Sequence, residues 1–156
     1  MKKELSAEEA RFKAETYCSL SEHCRSEVIA KLQQWGVPQE SSEAILRHLE
    51  KEGFLDSLRY AKAFVRDKYR FNQWGRVKIA NALRMKCISS ACIAEAMEQI
   101  DEDEYLDILA TLLKKKLGSV KGANDYERNG KLIRFAMGHG YEMNDILMCI
   151  KQMGYD

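Results

Sequence analysis

The chain has 156 residues, 46% of them apolar and 31% charged, with a formal net charge of +1. That is enough for one domain or a short array of small units, and the apolar share fits a soluble protein with a core. One proline and nine glycines leave little room for disordered linkers, and no apolar run approaches the roughly 20 residues that span a bilayer.

In chain order nearly everything reads as helix. Ser6-Ala7-Glu8-Glu9 has the pattern of a capping box, which predicts a first helix over Ala7 to about Leu20. Val28, Ile29 and Leu32 at helical spacing predict a second helix over 25–35, stopped at Gly36, and Pro38 delays the next one. Ser41 or Ser42 is the expected cap of a third helix through Ala44, Ile45 and Leu49 to Gly53. Asp56 is the expected cap of a fourth, bearing Leu58, Ala61, Phe64 and Val65 and running to about Tyr69. Trp74-Gly75 opens a fifth with Ile79 and Leu83 inside, and Ser89 or Ser90 caps a sixth with Ile93 and Met97 inside. A seventh is expected across 102–117, then a Gly/Asn-rich connection from Gly118 to Gly130, then helices around 130–138 and 143–153. Sustained two-residue alternation and Asn-Gly hairpin signals are absent from the sequence.

Five apolar positions recur at one spacing. They are Ile79, Leu83, Ile88, Ile93 and Met97 in the middle, and Leu132, Ala136, Tyr141, Ile146 and Ile150 near the end. A first copy, Val28, Leu32, Val37, Ile45 and Leu49, carries three extra residues before its fourth position. The anchors Val28, Ile79 and Leu132 lie 51 and 53 residues apart, the mark of a repeat architecture. The joints Trp35-Gly36-Val37, Lys86-Cys87-Ile88 and His139-Gly140-Tyr141 fall at one place in the repeat, and only the middle one lacks glycine.

The expected fold is all-α: three tandem three-helix repeats in an elongated, curved array, its hand left open. The units are 1–53, 54–101 and 102–156. A unit of about 50 residues buries too little surface to be comfortable alone, so neighbours should pack together. The long 118–130 connection points to the third unit as the more mobile one. Leu55, Phe64, Ile79, Leu83 and Ile93 are the expected core of the middle unit. A repeat array is usually a binding surface, not a housing for one catalytic pocket.

The small net charge conceals a local imbalance. Residues 59–86 hold Arg59, Lys62, Arg66, Lys68, Arg70, Arg76, Lys78, Arg84 and Lys86 against Asp67 alone, a net +8. Asp101, Glu102, Asp103, Glu104 and Asp107 follow. Cations near helix C-termini favour the negative dipole end, which accounts for Lys68, Arg70, Arg84 and Lys86. It does not account for Arg59, Lys62, Arg66, Arg76 and Lys78, so an anionic partner is expected at this window. Lys114, Lys115, Lys116 and Lys121 form a smaller basic group at a helix end, where the dipole reading suffices.

No enzyme constellation is present: no phosphate loop, no His-Glu-x-x-His, no nucleophile beside a base. No cofactor or metal is expected. Cys18, His23 and Cys24 match no common zinc spacing, and the five cysteines read as reduced thiols of a cytoplasmic protein. The N-terminus, Met1-Lys2-Lys3-Glu4, lacks the apolar segment of a secretory signal.

The stretch Gly53-Phe54-Leu55-Asp56, then Tyr60-Ala61, Phe64-Val65, Trp74-Gly75, Lys78-Ile79, Leu83 and Lys86-Cys87-Ile88-Ser89 leading to Ile93 and Ala96-Met97, resembles the bacterial recombination regulator RecX family. The likeness covers about 20–100 well and the C-terminal unit loosely. Tyr60 stands where phenylalanine is usual, Ser57 where a second acid is common, and Cys87 where glycine is usual. The expansion around Gln39–Ser42 is also atypical.

The resemblance implies a regulator that lodges in the groove of the RecA–single-stranded DNA filament. It would inhibit ATPase, strand exchange and repressor co-cleavage, and so act on DNA repair and the SOS response. It implies no catalysis and a monomer away from membranes, with weak direct DNA contact as an added possibility. The alternative reading is a DNA-binding helical module without sequence preference. The partner residues expected are Arg59, Lys62, Arg66, Arg70, Arg76, Lys78, Arg84 and Lys86. Asp56, Phe64, Trp74 and Gly75 are expected to be structural.

Overall fold

The computed structural model describes residues 5–154, so the N-terminal segment Met1-Lys2-Lys3-Glu4 read above lies outside the described residues. Those residues form nine helices: α1 Ala7–Leu20, α2 Arg25–Gln34, α3 Gln39–Lys51, α4 Ser57–Arg70, α5 Arg76–Met85, α6 Ser90–Met97, α7 Glu102–Leu117, α8 Asp125–Gly138 and α9 Met143–Gln152. They pack as three successive triplets, an all-α repeat array. None is long and apolar enough to cross a membrane.

Most helix starts follow from one polar side chain accepting a free first-turn amide. Ser6, Asp56, Ser89 and Asp101 accept from the amides of Glu9, Arg59, Cys92 and Glu104. Two starts differ from expectation. α3 begins at Gln39 with Pro38 as its cap residue, so Ser41 and Ser42 lie inside the helix. The third helix of every triplet starts two residues after its joint residue, Val37, Ile88 or Tyr141. The three extra residues of the first copy therefore lengthen α3 by nearly one turn and leave Ile45 and Leu49 buried.

The second difference is α8, which begins at Asp125. Asn124 caps it by accepting from the amide of Glu127 at 2.9 Å, and the Glu127 carboxylate accepts from the amide of Ala123 at 3.1 Å. The connection shrinks to 118–124, and Gly130 sits within the helix.

The joints share one backbone shape. Gly36, Cys87 and Gly140 have φ of 75°, 64° and 95°, the left-handed region that closes a helix and costs a residue with a Cβ.

Two cores form, not three. Ala10, Ala14, Val28, Leu32, Ile45, Leu46 and Leu49 make the first, and Leu55 belongs to it instead of to the middle triplet. The second runs without a break from Val65, Ile79, Leu83 and Ile93 through Tyr105, Leu109 and Leu113 to Leu132 and Ile146. Phe64 lies at its half-buried edge. The third triplet thus shares its core with the second, while the first keeps its own.

Candidate partner-binding surface

The basic window lies on α4 and α5, and the structure distributes its cations among three roles. Four reach across to neighbouring triplets. Arg59 Nε donates to Glu22 Oε1 at 2.6 Å, and Lys86 Nζ lies 3.4 Å from Glu27 Oε2; both tie α4–α6 back to the first triplet. Arg70 Nε donates to Glu104 Oε1 at 2.6 Å, tying α4 to α7. Arg76 is the centre of a cluster: it pairs with Glu102 and lies 3.5 Å from Glu142 and 3.6 Å from Asp145. Its guanidinium also stacks over the Tyr105 ring at 4.1 Å.

The electrostatics of these pairs follow from their surroundings. Burial alone would lower the Arg76 pKa, but Glu102 outweighs it and holds the guanidinium above its ordinary value. Burial pushes Tyr105 up to about 12. Asp145 is held above the usual carboxyl range by burial, with the Glu142 charge adding to it and Arg76 opposing. Burial would also raise Glu27, but the Cys24 amide and Lys86 together bring it below its ordinary value.

A second group rests on rings. Lys68 and Lys78 place their ammonium groups 4.7 and 4.5 Å from the Trp74 ring centroid, so Trp74 is half-buried and sandwiched between cations. Phe64 meets Trp74 edge-on at 6.3 Å. Arg84 rests on no ring and, among the described residues, donates to Asn81 Oδ1 at 2.7 Å.

The third group is Lys62 and Arg66. They stand four apart on one face of α4, and neither has an ion-pair partner among the described residues. With Leu58, Ala63 and Gln99 they line a groove of about 430 Å³, whose far end holds Glu22, Asp56 and Arg59. Arg59 is paired with Glu22 there, and Arg70 of the same helix is paired with Glu104. The groove's free positive charge is therefore two side chains long, suited to carboxylates or a short run of phosphates.

The four motif residues do structural work. Asp56 caps α4 through the Arg59 amide at 3.0 Å. Gly75 is buried because the chain at 139–140 passes directly over it. A Cβ there would lie 2.3 Å from the Gly140 backbone. The Gly75 and Val77 amides donate to the His139 and Gly140 carbonyls at 2.7 and 3.0 Å, so the joint of the third triplet caps the start of α5. The Tyr105 hydroxyl accepts from the Arg76 amide at 3.0 Å. Sequence spacing could not reveal that α5 is capped from 63 and 64 residues away along the chain; the missing N-cap side chain at Gly75 was the available signal.

Among the described residues no group of three or more His, Cys, Asp or Glu could hold a metal ion. His23 instead stacks on Tyr17 at 3.7 Å and meets Ser21 Oγ at 2.9 Å.

The model of the RecX second three-helix domain matches residues 56–97, and that of the third three-helix domain matches residues 102–150. The chain belongs to the RecX family. Regulatory protein RecX of Clostridium botulinum is 32% identical over 124 residues, covering 78% of this chain and 58% of that protein. RecX of Prosthecochloris aestuarii is 28% identical over 137 residues, 88% of each chain. The chain thus spans little more than half of the first relative and most of the second. The fold has close counterparts too. The crystal structure of RecX from Lactobacillus salivarius superposes with a TM-score of 0.85 over 94% of this chain and 95% of that one, at 18% identity. A second RecX crystal structure gives 0.82 over 93% and 73%.

Proposed function

We propose that this RecX-family protein regulates recombination without catalysis of its own. It binds the RecA filament on single-stranded DNA in its groove and inhibits ATPase, strand exchange and co-protease activity. Membership of a family of regulatory proteins carries this reading, and two structural features support it. Successive triplets present successive surfaces, so weak contacts to successive protomers of a polymer add through effective concentration. Lys62 and Arg66 share one helix face with no ion-pair or ring partner among the described residues, which leaves their charge open to an anionic partner.

The test is the single-stranded-DNA-dependent ATPase of the cognate recombinase, titrated with the protein. Inhibition is expected well below equimolar protein and is expected to survive excess single-stranded DNA. Loss of inhibition with excess DNA favours the alternative, a DNA-binding module acting by sequestration. Lys62→Glu with Arg66→Glu should raise the half-inhibiting concentration about tenfold, equivalent to roughly 1.4 kcal/mol, with the thermal midpoint unchanged. Full inhibition by that folded double variant removes the site. Arg76 does not belong in the set, because reversing it would break the cluster with Glu102, Glu142 and Asp145.

A further inference from the structure

The second and third helices of the first two triplets meet in a shallow groove at equivalent positions. In the first triplet it is lined by Ile29, Gln33, Gln39 and Leu46, and in the second by Ala80, Arg84, Ser90 and Ala94. Counting from the anchors, the third triplet places Ile133, Met137, Met143 and Leu147 there. Ile133 and Met137 are four apart on α8, and Met143 and Leu147 are four apart on α9, so each pair forms a stripe.

This version of the groove is apolar and open to solvent. Met137, Met143 and Leu147 are 50%, 42% and 48% exposed. The fold does not require apolar side chains at these places. Gln33 and Arg84 stand where Met137 does, and Gln39 and Ser90 stand where Met143 does. An exposed apolar stripe that the scaffold does not need marks a contact surface, and methionine adapts its shape to a partner.

The rim supplies the chemistry of the occupant. Arg134 on α8 and Lys151 on α9 are exposed and meet no carboxylate among the described residues. The nearby acids are committed elsewhere: Glu142 and Asp145 face Arg76, and Glu127 lies beside Lys131. A groove with an apolar floor and cationic rims complements a helix whose apolar stripe is flanked by carboxylates.

We propose that the α8–α9 face is a docking groove for an acidic amphipathic helix of a partner protein. The inference rests on reading the chain as a protein-binding regulator, and it adds a second contact distinct from Lys62 and Arg66.

The probe is a synthetic helical peptide of about 20 residues, with leucines at three- and four-residue spacing flanked by glutamates. A counterpart carries lysines instead. By fluorescence anisotropy the glutamate peptide should bind at least about tenfold tighter than the lysine peptide. Arg134→Glu with Lys151→Glu should reverse that preference. The triple variant Met137→Gln, Met143→Gln and Leu147→Ala should lose at least about tenfold in affinity. It introduces the residue types found at the equivalent positions of the other triplets, and circular dichroism checks that it folds.

Equal affinity for the two peptides overturns the proposal, as does full binding by the folded triple variant. So does displacement of the peptide by a single-stranded oligonucleotide, which would make this a polyanion site. So does a dimer closed over the face in sedimentation, which would make the occupant a second copy. Failure of the wild-type protein to inhibit RecA would sink the proposed function and leave the peptide result standing. Inhibition without peptide binding would sink the groove alone.

Discussion

The two joints of the array occupy the same place in the repeat and are built differently. Between the second and third triplets, backbone meets backbone: Gly75 and Val77 donate to His139 and Gly140, and a single core runs through. Between the first and second, Cys24 stands at the position of Gly75, and its side chain enters the second core instead. The hydrogen bond there runs from a side chain, Ser26 Oγ to the Lys86 carbonyl at 2.9 Å, and Glu27 meets Lys86 at 3.4 Å. One missing Cβ thus separates a joint locked through the backbone from one held by side chains.

The largest way to break that difference is Gly75→Ala. Its Cβ would meet carbonyl and amide backbone that cannot rotate aside, so a loss of about 3 kcal/mol is expected in urea unfolding. Cys24→Ala removes one buried sulfur at the equivalent position and should cost only about 1 kcal/mol. Equal losses would show that the joints are energetically alike.

Arg76→Met comes next. It leaves Glu102, Glu142 and Asp145 facing one another without a cation, at about 2 kcal/mol. Lys86→Met frees only Glu27, one carboxylate at a single 3.4 Å contact, and should cost no more than about 0.5 kcal/mol. Chemical denaturation of both variants in the same buffer checks the ratio.

Acid should move the joints in opposite directions. Glu27 is held below its ordinary pKa, so its stabilisation is present above the unfolded value and is lost as pH falls through the folded one. Asp145 is held above its ordinary pKa, so its ionisation opposes folding at neutral pH, and that cost is relieved as pH falls through its folded value. Thermal midpoints from about pH 7 to about pH 4 should therefore show Glu27→Gln reducing the acid sensitivity of the wild type. Asp145→Asn should increase it. Parallel curves for the two variants would contradict the opposed shifts.

Much of the scaffold was legible in the sequence because it depends on local chemistry. Ser6, Asp56 and Ser89 are caps whose amide donors lie three residues away, and the anchors Val28, Ile79 and Leu132 bury at helical spacing. What the sequence concealed depends on distant chain segments. Pro38 and Asn124 moved two helix starts, and Leu55 went to the first core. The acids that pair with Arg59, Arg70, Arg76 and Lys86 were hidden in the same way, because Glu22, Glu27, Glu102, Glu104, Glu142 and Asp145 all lie on neighbouring triplets. The core shared by the second and third triplets was hidden too, because it depends on whether backbone can approach backbone at the joint.

The one expected gain in stability concerns the middle joint residue itself. Cys87 sits at φ 64°, where Gly36 and Gly140 occupy the same turn at no steric cost. A residue with a Cβ in that region costs about 1–2 kcal/mol, and glycine gives back part of the gain through its freer unfolded state. The Cys87 side chain is exposed, so little packing is lost on removing it. Cys87→Gly should therefore stabilise the protein by about 0.5–1 kcal/mol in urea unfolding. Because Ser26 bonds the carbonyl just before this turn, the gain should shrink in a Ser26→Ala background if turn and joint form together. An unchanged gain would mean that the first joint closes without reference to the shape of the turn.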